Sequence, residues 1–239
     1  MKLEDEFLPF HTTTIPEGPY LILAPHPDDE TFAMGGTIAI SSRLNINVHV
    51  VFLTQGDKGG TGNDLVSIRR EEARAAAETL GIKELVFWKE PDRGLKASDG
   101  LVQKAVNLIK RIRPGTIFFP SPLEIHPDHR ETAKIISLAL HKMDFNGNLW
   151  SYETLREVEI NRLVDITSVI EVKKKAINQY KSQLMENNYK EVSRSINKAR
   201  TITLLPEIEY AEGFYSYDLK KHKNIFQELA DRVTDFLLI

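Results

Sequence analysis

The chain has 239 residues, a formal net charge of −3, 41% apolar and 27% charged side chains, and no cysteine. That length suits one well-cored α/β unit, and the balance is that of an ordinary globular protein. Disulfides, thiolate nucleophiles and Cys-held metals are excluded, and no global field favours nucleic acid or an anionic membrane.

The acidic start Met1-Lys2-Leu3-Glu4-Asp5-Glu6 lacks the positive charge of a signal peptide. No apolar run approaches the roughly 18 residues of a membrane span. A cytoplasmic location is the expectation.

Residues 1–18 read as a polar lead-in closed by Pro16 and Gly18. Strands and helices then alternate. Tyr20–Ala24 is a short apolar strand, and Thr31–Leu44 a helix whose Gly35-Gly36 pair suggests a close packing contact. Asn47–Thr54 reads as a second strand and is followed by a glycine-rich loop from Gln55 to Asp64. Ser67–Leu80 is helical and stops at Gly81; Glu84–Trp88 is strand-like and leads into Pro91-Asp92-Arg93-Gly94.

Asp99 is placed to cap a helix with Val102, Val106 and Ile109 on its apolar face. Thr116–Phe119 is a fourth strand, and Arg130–His141 a helix. Further on, Leu149–Thr154, Arg162–Val164 and Tyr210–Tyr215 read as strands, and Ser168–Leu184, Glu191–Ala199 and Leu219–Leu237 as helices. The fold expected is an α/β, Rossmann-like, doubly wound and mostly parallel sheet with helices on both faces. It is read as one domain over 1–239, less regular from 148 onward. Ligands of such sheets bind beyond the carboxyl ends of the strands. Four loops converge there.

Two of them carry chemistry. Ala24-Pro25-His26-Pro27-Asp28-Asp29-Glu30 packs an imidazole and three carboxylates into a strand-to-helix turn. Burying such a cluster costs several kcal/mol per unpaired charge, on the order of what only a cation or substrate offsets. His126-Pro127-Asp128-His129-Arg130 repeats the grammar after the fourth strand. His26 and Asp29 with a distant histidine would make a two-histidine, one-carboxylate site suited to zinc. Of His126 and His129, one could complete it and the other act on substrate, with Asp128 fixing an imidazole tautomer. Helix capping accounts for one carboxylate, not for both clusters. The glycine-rich loop matches neither phosphate-binding pattern and reads as a mobile loop beside the site.

These motifs resemble those of the PIG-L/LmbE-like family of zinc-dependent de-N-acetylases, which act on N-acetylglucosamine-type sugars. The likeness extends to Arg69-Arg70-Glu71-Glu72-Ala73, Pro91-Asp92, Lys174–Gln183 and Ala211-Glu212-Gly213-Phe214. It implies His26, Asp29 and His129 as ligands of one Zn2+ per chain, with Fe2+ the alternative, Asp28 as general base and His126 as second catalytic residue. It also implies sugar contacts for Arg69 and Asp92; Gly56-Asp57 stands where relatives often carry Gly-Glu, making Asp57 a third candidate. The expected reaction is hydrolysis of an acetamido group, with a charged His126 whose pKa the neighbouring Asp128 raises. The implied partner is a small N-acetylated amino sugar or glycoconjugate, with no nucleic acid and homo-oligomers left open. A non-catalytic binding module and an Fe(II) enzyme are the rival readings.

Overall fold

The computed structural model describes residues 12–60, 64–219 and 224–229. Strands β1 (Tyr20–Ala24), β2 (Val48–Thr54), β3 (Glu84–Glu90), β4 (Thr116–Pro120) and β5 (Asn148–Tyr152) pair in parallel. Beyond β5, the strands β6 (Arg162–Asp165) and β7 (Ala211–Tyr217) complete a seven-stranded sheet of order β3-β2-β1-β4-β5-β7-β6. β7 runs antiparallel to both its neighbours. The doubly wound, mostly parallel sheet read from the alternating pattern is the one observed.

Side chains alternate across each strand, so both faces of the inner strands are apolar. Tyr20, Ile22, Val50, Phe52 and Phe118 pack on one side against α1 (Asp29–Arg43) and α2 (Leu65–Leu80). Leu21, Leu23, Val51, Ile117 and Phe119 pack on the other against α3 (Asp99–Ile112) and α4 (Pro127–His141). Burying each such side chain is worth about 1.5–3 kcal/mol, which is why these strands read as continuous apolar runs.

Local signals set the boundaries. Gly81 ends α2 at φ 75°, the left-handed conformation that favours glycine. Ser98, not Asp99, caps α3: its hydroxyl accepts from the Leu101 N–H, and Asp99 falls inside the first turn. α4 starts at Pro127, earlier than the pattern suggests, because proline suits a first helical position.

The C-terminal third departs most. In place of one helix over 168–184 there are a 3₁₀ turn (Thr167–Val169), α5 (Ile170–Ile177) and α6 (Lys181–Glu186). The break between α5 and α6 turns Tyr180 into the interior. α7 (Tyr189–Ala199) follows. Of the helix expected over Leu219–Leu237, residues 225–229 are helical, and most of the remainder lies outside the described residues.

α1 is kinked at Met34 (φ −137°), and Gly35-Gly36 sit at the kink. A Cβ on Gly36 would lie 2.5 Å from Ile166, so the close packing suggested by the glycine pair is present. The kink frees backbone donors. Glu212 takes them, accepting from Gly36 N at 2.8 Å and Thr37 N at 2.7 Å. Its carboxylate is paired with Lys173 Nζ at 2.7 Å, and both side chains are fully buried. Removing one partner of a buried pair strands the other charge, so Glu212→Ala is expected to cost about 3–5 kcal/mol in urea unfolding. The double replacement Lys173→Met, Glu212→Gln should cost distinctly less.

Candidate active site

β1 leads to β2 on one side, while the chain crosses to β4 on the other. The carboxyl ends of β1 and β4 therefore flank the switch point where the winding reverses. The turn Pro25–Asp28 follows β1 and is pinned to β2 by Thr54, whose N–H and hydroxyl both donate to Pro25 O at 2.9 Å. His126 opens the first turn of α4, after β4. The two motifs thus meet across one crevice.

Asp29 lies between two imidazoles. Its Oδ2 is 3.2 Å from His26 Nδ1 and its Oδ1 is 3.2 Å from His129 Nε2. The opposite nitrogen of His26, Nε2, faces Asp128 Oδ2 at 3.1 Å and Asp92 Oδ1 at 3.3 Å. Asp128 is itself held by N–H groups of Arg93 (2.8 Å) and Leu95 (3.2 Å), and Asp92 by that of Lys58 (2.9 Å). The His126 ring lies 4.7 Å from that of His26 and 5.3 Å from that of His129.

Asp28 takes a different partner. Arg69 Nη2 binds its Oδ2 at 2.9 Å and Pro27 O at 2.7 Å, while Nη1 donates to Gly56 O at 2.8 Å. Arg69 is only 2% exposed. A Cβ on Gly56 or Gly59 would fall within 2.5 Å of this guanidinium, so the loop glycines let backbone close over it. The Asp28 backbone has φ 141° and ψ −31°, strain of about 1–3 kcal/mol that the surroundings must hold.

Adjacent carboxyls are driven apart. Burial pushes Asp28 up to about 8; Arg69 opposes this, Asp29 adds to it, His26 opposes it and Glu30 adds to it. Asp29 is held well below the carboxylate range, because His129 and His26 outweigh the desolvation of burial. His26 is raised well above its usual value: burial lowers it, and hydrogen bonds with Asp128, Asp29 and Asp92 overcome that. Asp92 is pulled to about 2, against burial, by His26.

His126 corrects an expectation. Burial first, then the His26 and His129 rings, lower its pKa. Asp128 does not raise it above the ordinary value, because the Asp128 carboxylate turns to His26 while its backbone N–H donates to His126 Nδ1 at 3.2 Å. The charged form of His126 is disfavoured here.

A cavity of about 110 Å³ gathers His26, Asp28, Asp29, Arg69, Asp92, His126 and His129. Asp57 is not among them. It is exposed and lines a separate hollow with Asp64, Ser67 and Arg70, because the turn through Gly56 points it outward. Arg69 does line the cavity, but both its Nη groups are already bound to the protein. Phe32, Arg93, Leu155, Gln183 and Tyr189 also line it and escaped the sequence reading. Arg93 lies in the loop after the third strand, beside Asp92, and Gln183 ends the quoted stretch Lys174–Gln183, so those two had a local signal.

The donor set fits a divalent cation. Asp29 meets His26 Nδ1 and His129 Nε2 through opposite oxygens, each at 3.2 Å, an oxygen and nitrogen donor set of the kind zinc takes. The compact donor groups among the described residues do not include it: in one, donor atoms of His26, His126 and His129 lie within 4.8 Å of one another. A second set, His26, Asp92, His126 and Asp128, is equally compact; its two carboxylates accept from backbone N–H groups, as Asp29 Oδ2 does from His26 N at 2.9 Å.

Fold and site define a Rossmann-like α/β protein with a buried histidine–carboxylate centre at the switch point of its sheet. The chain belongs to the PIG-L family, described as GlcNAc-PI de-N-acetylase, which matches residues 21–140, about half its length. The diacetylchitobiose deacetylase of Thermococcus kodakarensis is 30% identical over 194 residues, covering 70% of each chain. The solved N,N'-diacetylchitobiose deacetylase of Pyrococcus horikoshii, complexed with its inhibitor MPG, superposes with TM-score 0.74 at 28% identity, covering 88% of each chain. A Pseudomonas putida 4-oxalmesaconate hydratase is 26% identical over 234 residues, covering 84% of this chain and 90% of that one.

Because Asp128 holds His26 through Nε2, Asp128→Ala is expected to weaken Zn2+ binding roughly 10- to 100-fold. Competition titration against a chromophoric chelator measures this; unchanged affinity would mean that His26 needs no such support.

Proposed function

We propose that the chain is a metal-dependent hydrolase that removes the acetyl group from an N-acetylglucosamine-type amino sugar or its conjugate. The observation that carries this reading is the pair Asp28 and Asp29: adjacent carboxyls at the wall of one cavity, one bound to Arg69 and the other set between His26 and His129. Paired groups of that kind mark an acid–base assignment. His26, Asp29 and His129 would hold one Zn2+, with Fe2+ the alternative. Such an ion, when bound, supplies a Lewis acid for a carbonyl oxygen and acidifies water towards neutrality.

The remaining roles fall to the chain's own groups. Asp28, in its ionised form, which the Arg69 guanidinium favours, would take the proton of the attacking water. Arg69 Nη2 fixes the carboxylate oxygen Oδ2, leaving Oδ1 for that proton. His126 Nδ1 accepts from Asp128 N, so its proton sits on Nε2 and is free to donate to the developing oxyanion. A well-placed donor there is typically worth about 3–4 kcal/mol. The proton held by Asp28 would then pass to the departing nitrogen. Amide and water go in; acetate and the amine come out.

Asp92 is the group proposed to meet a sugar hydroxyl at the cavity wall; Arg69, whose Nε is buried and whose Nη groups are engaged, would serve to hold Asp28. The relatives named for diacetylchitobiose support a small N-acetylated sugar as partner. Among the described residues no helix is long and apolar enough to cross a membrane.

Acetate release from N-acetylglucosaminyl conjugates tests the reading. Chelator should abolish it and added Zn2+ restore it, while Asp28→Asn should lower kcat at least about 100-fold. Chelator-insensitive release, or full activity in Asp28→Asn, would overturn the mechanism. Absence of acetate release across the conjugates would turn attention to water addition, the chemistry named for the hydratase relative.

A further inference from the structure

Glu30 has no part in the reaction just described and does not line the cavity. It is nevertheless fully buried beside two other carboxyls, Asp28 and Asp29. Packing does not select an acid there. A first-turn acid complementing the helix dipole would need no partner from elsewhere in the fold. Glu30 has one. Its Oε1 accepts from the hydroxyls of Tyr180 and Thr31, each at 2.5 Å. Tyr180 is also fully buried, and it comes from the break between α5 and α6, some 150 residues along the chain. The other oxygen, Oε2, accepts from the Asp28 backbone N–H at 3.3 Å.

That N–H belongs to the peptide whose φ of 141° an L residue rarely adopts. Asp28 is thus held at two points: Arg69 takes its side chain and the preceding carbonyl, and Glu30 takes its N–H. We infer that Glu30 and Tyr180 form a positioning pair that holds the Asp28 peptide in its strained conformation and so aims the Asp28 carboxylate into the cavity. Tyr180 donates to Oε1, which fixes the carboxylate plane and leaves Oε2 directed at the Asp28 N–H. Thr31, the immediate neighbour, cannot fix that plane alone, because it moves with the same helical turn. The tyrosine ties the turn to the C-terminal third.

The inference rests on the proposed role of Asp28 as base, and the test separates the two. In Tyr180→Phe, kcat for acetate release should fall roughly 10- to 100-fold, with KM and bound metal per chain unchanged. In an Asp28→Asn background the same change should cause no further loss, since there is no base left to position. Glu30→Gln should behave as Tyr180→Phe does, and it carries the test if the tyrosine variant does not fold. Hydrogen exchange at the Asp28 amide gives a reading independent of activity, and it should accelerate in either variant. Unchanged exchange, an unchanged kcat, or a loss that adds fully to that of Asp28→Asn overturns the positioning pair. Accelerated exchange in the variants, together with a wild-type chain that releases no acetate, would overturn the proposed reaction and leave the pair standing.

Discussion

Two carboxyls on neighbouring residues cannot share one buried crevice as equals. Each must find its own compensation or give up its charge. The fold meets this constraint by dividing the pair. Asp29 is drawn between His26 and His129, which keep it ionised; Asp28 is turned the other way, towards Arg69, in a conformation its backbone resists. Most features around the site follow from that division. Asp128 and Asp92 brace the far side of His26, the loop glycines Gly56 and Gly59 make room for the Arg69 guanidinium, and Glu30 meets the Asp28 N–H.

The architecture supplies the second half of the arrangement. A doubly wound sheet opens a crevice where winding reverses, and here the turns after β1 and β4 face each other across it. Neither turn is sufficient. His26 with Asp29 lacks a second imidazole, and His129 lacks a carboxylate until the turns are brought together. The antiparallel strands β7 and β6 extend the sheet and carry Glu212, which satisfies the backbone freed by the kink in α1. That kink lies one and a half turns beyond Asp29, so the buried Lys173–Glu212 pair stabilises the helix whose first turn holds the site.

Much of this was legible in the sequence because its signals are local. The inner strands are apolar on both faces, so their runs are continuous; Gly81 and Pro127 mark helix ends through φ preferences; both histidine motifs sit at strand-to-helix turns. What was missed depends on direction rather than position. Asp57 stands in the right loop but points outward. Asp128 stands beside His126 yet serves His26, and burial with the His26 and His129 rings sets the direction of the His126 shift. The single helix expected over 168–184 kept its apolar phase through Ala176 and Tyr180, but periodicity does not report a hydroxyl that must reach a buried glutamate. Gln183, Tyr189 and Leu155 line the cavity from the same irregular region, where only Gln183, at the end of the stretch Lys174–Gln183, falls in a motif.

That region also bears on how relatives of one fold can be named for different reactions. One fold can carry different reactions, and the centre formed after β1 and β4, proposed above to activate water, does not itself select what that water attacks. The choice of acceptor must come from the remaining walls of the cavity. In this chain those walls are Phe32 of α1, Arg93 of the loop after β3, Leu155 of the loop after β5, and Gln183 and Tyr189 of the C-terminal helices. Gln183 donates to Gly59 O at 2.9 Å, so α6 also sets the position of the loop that closes over Arg69. The same segment that brings Tyr180 to Glu30 therefore also shapes the cavity wall, coupling the position of Asp28 to the space in front of it.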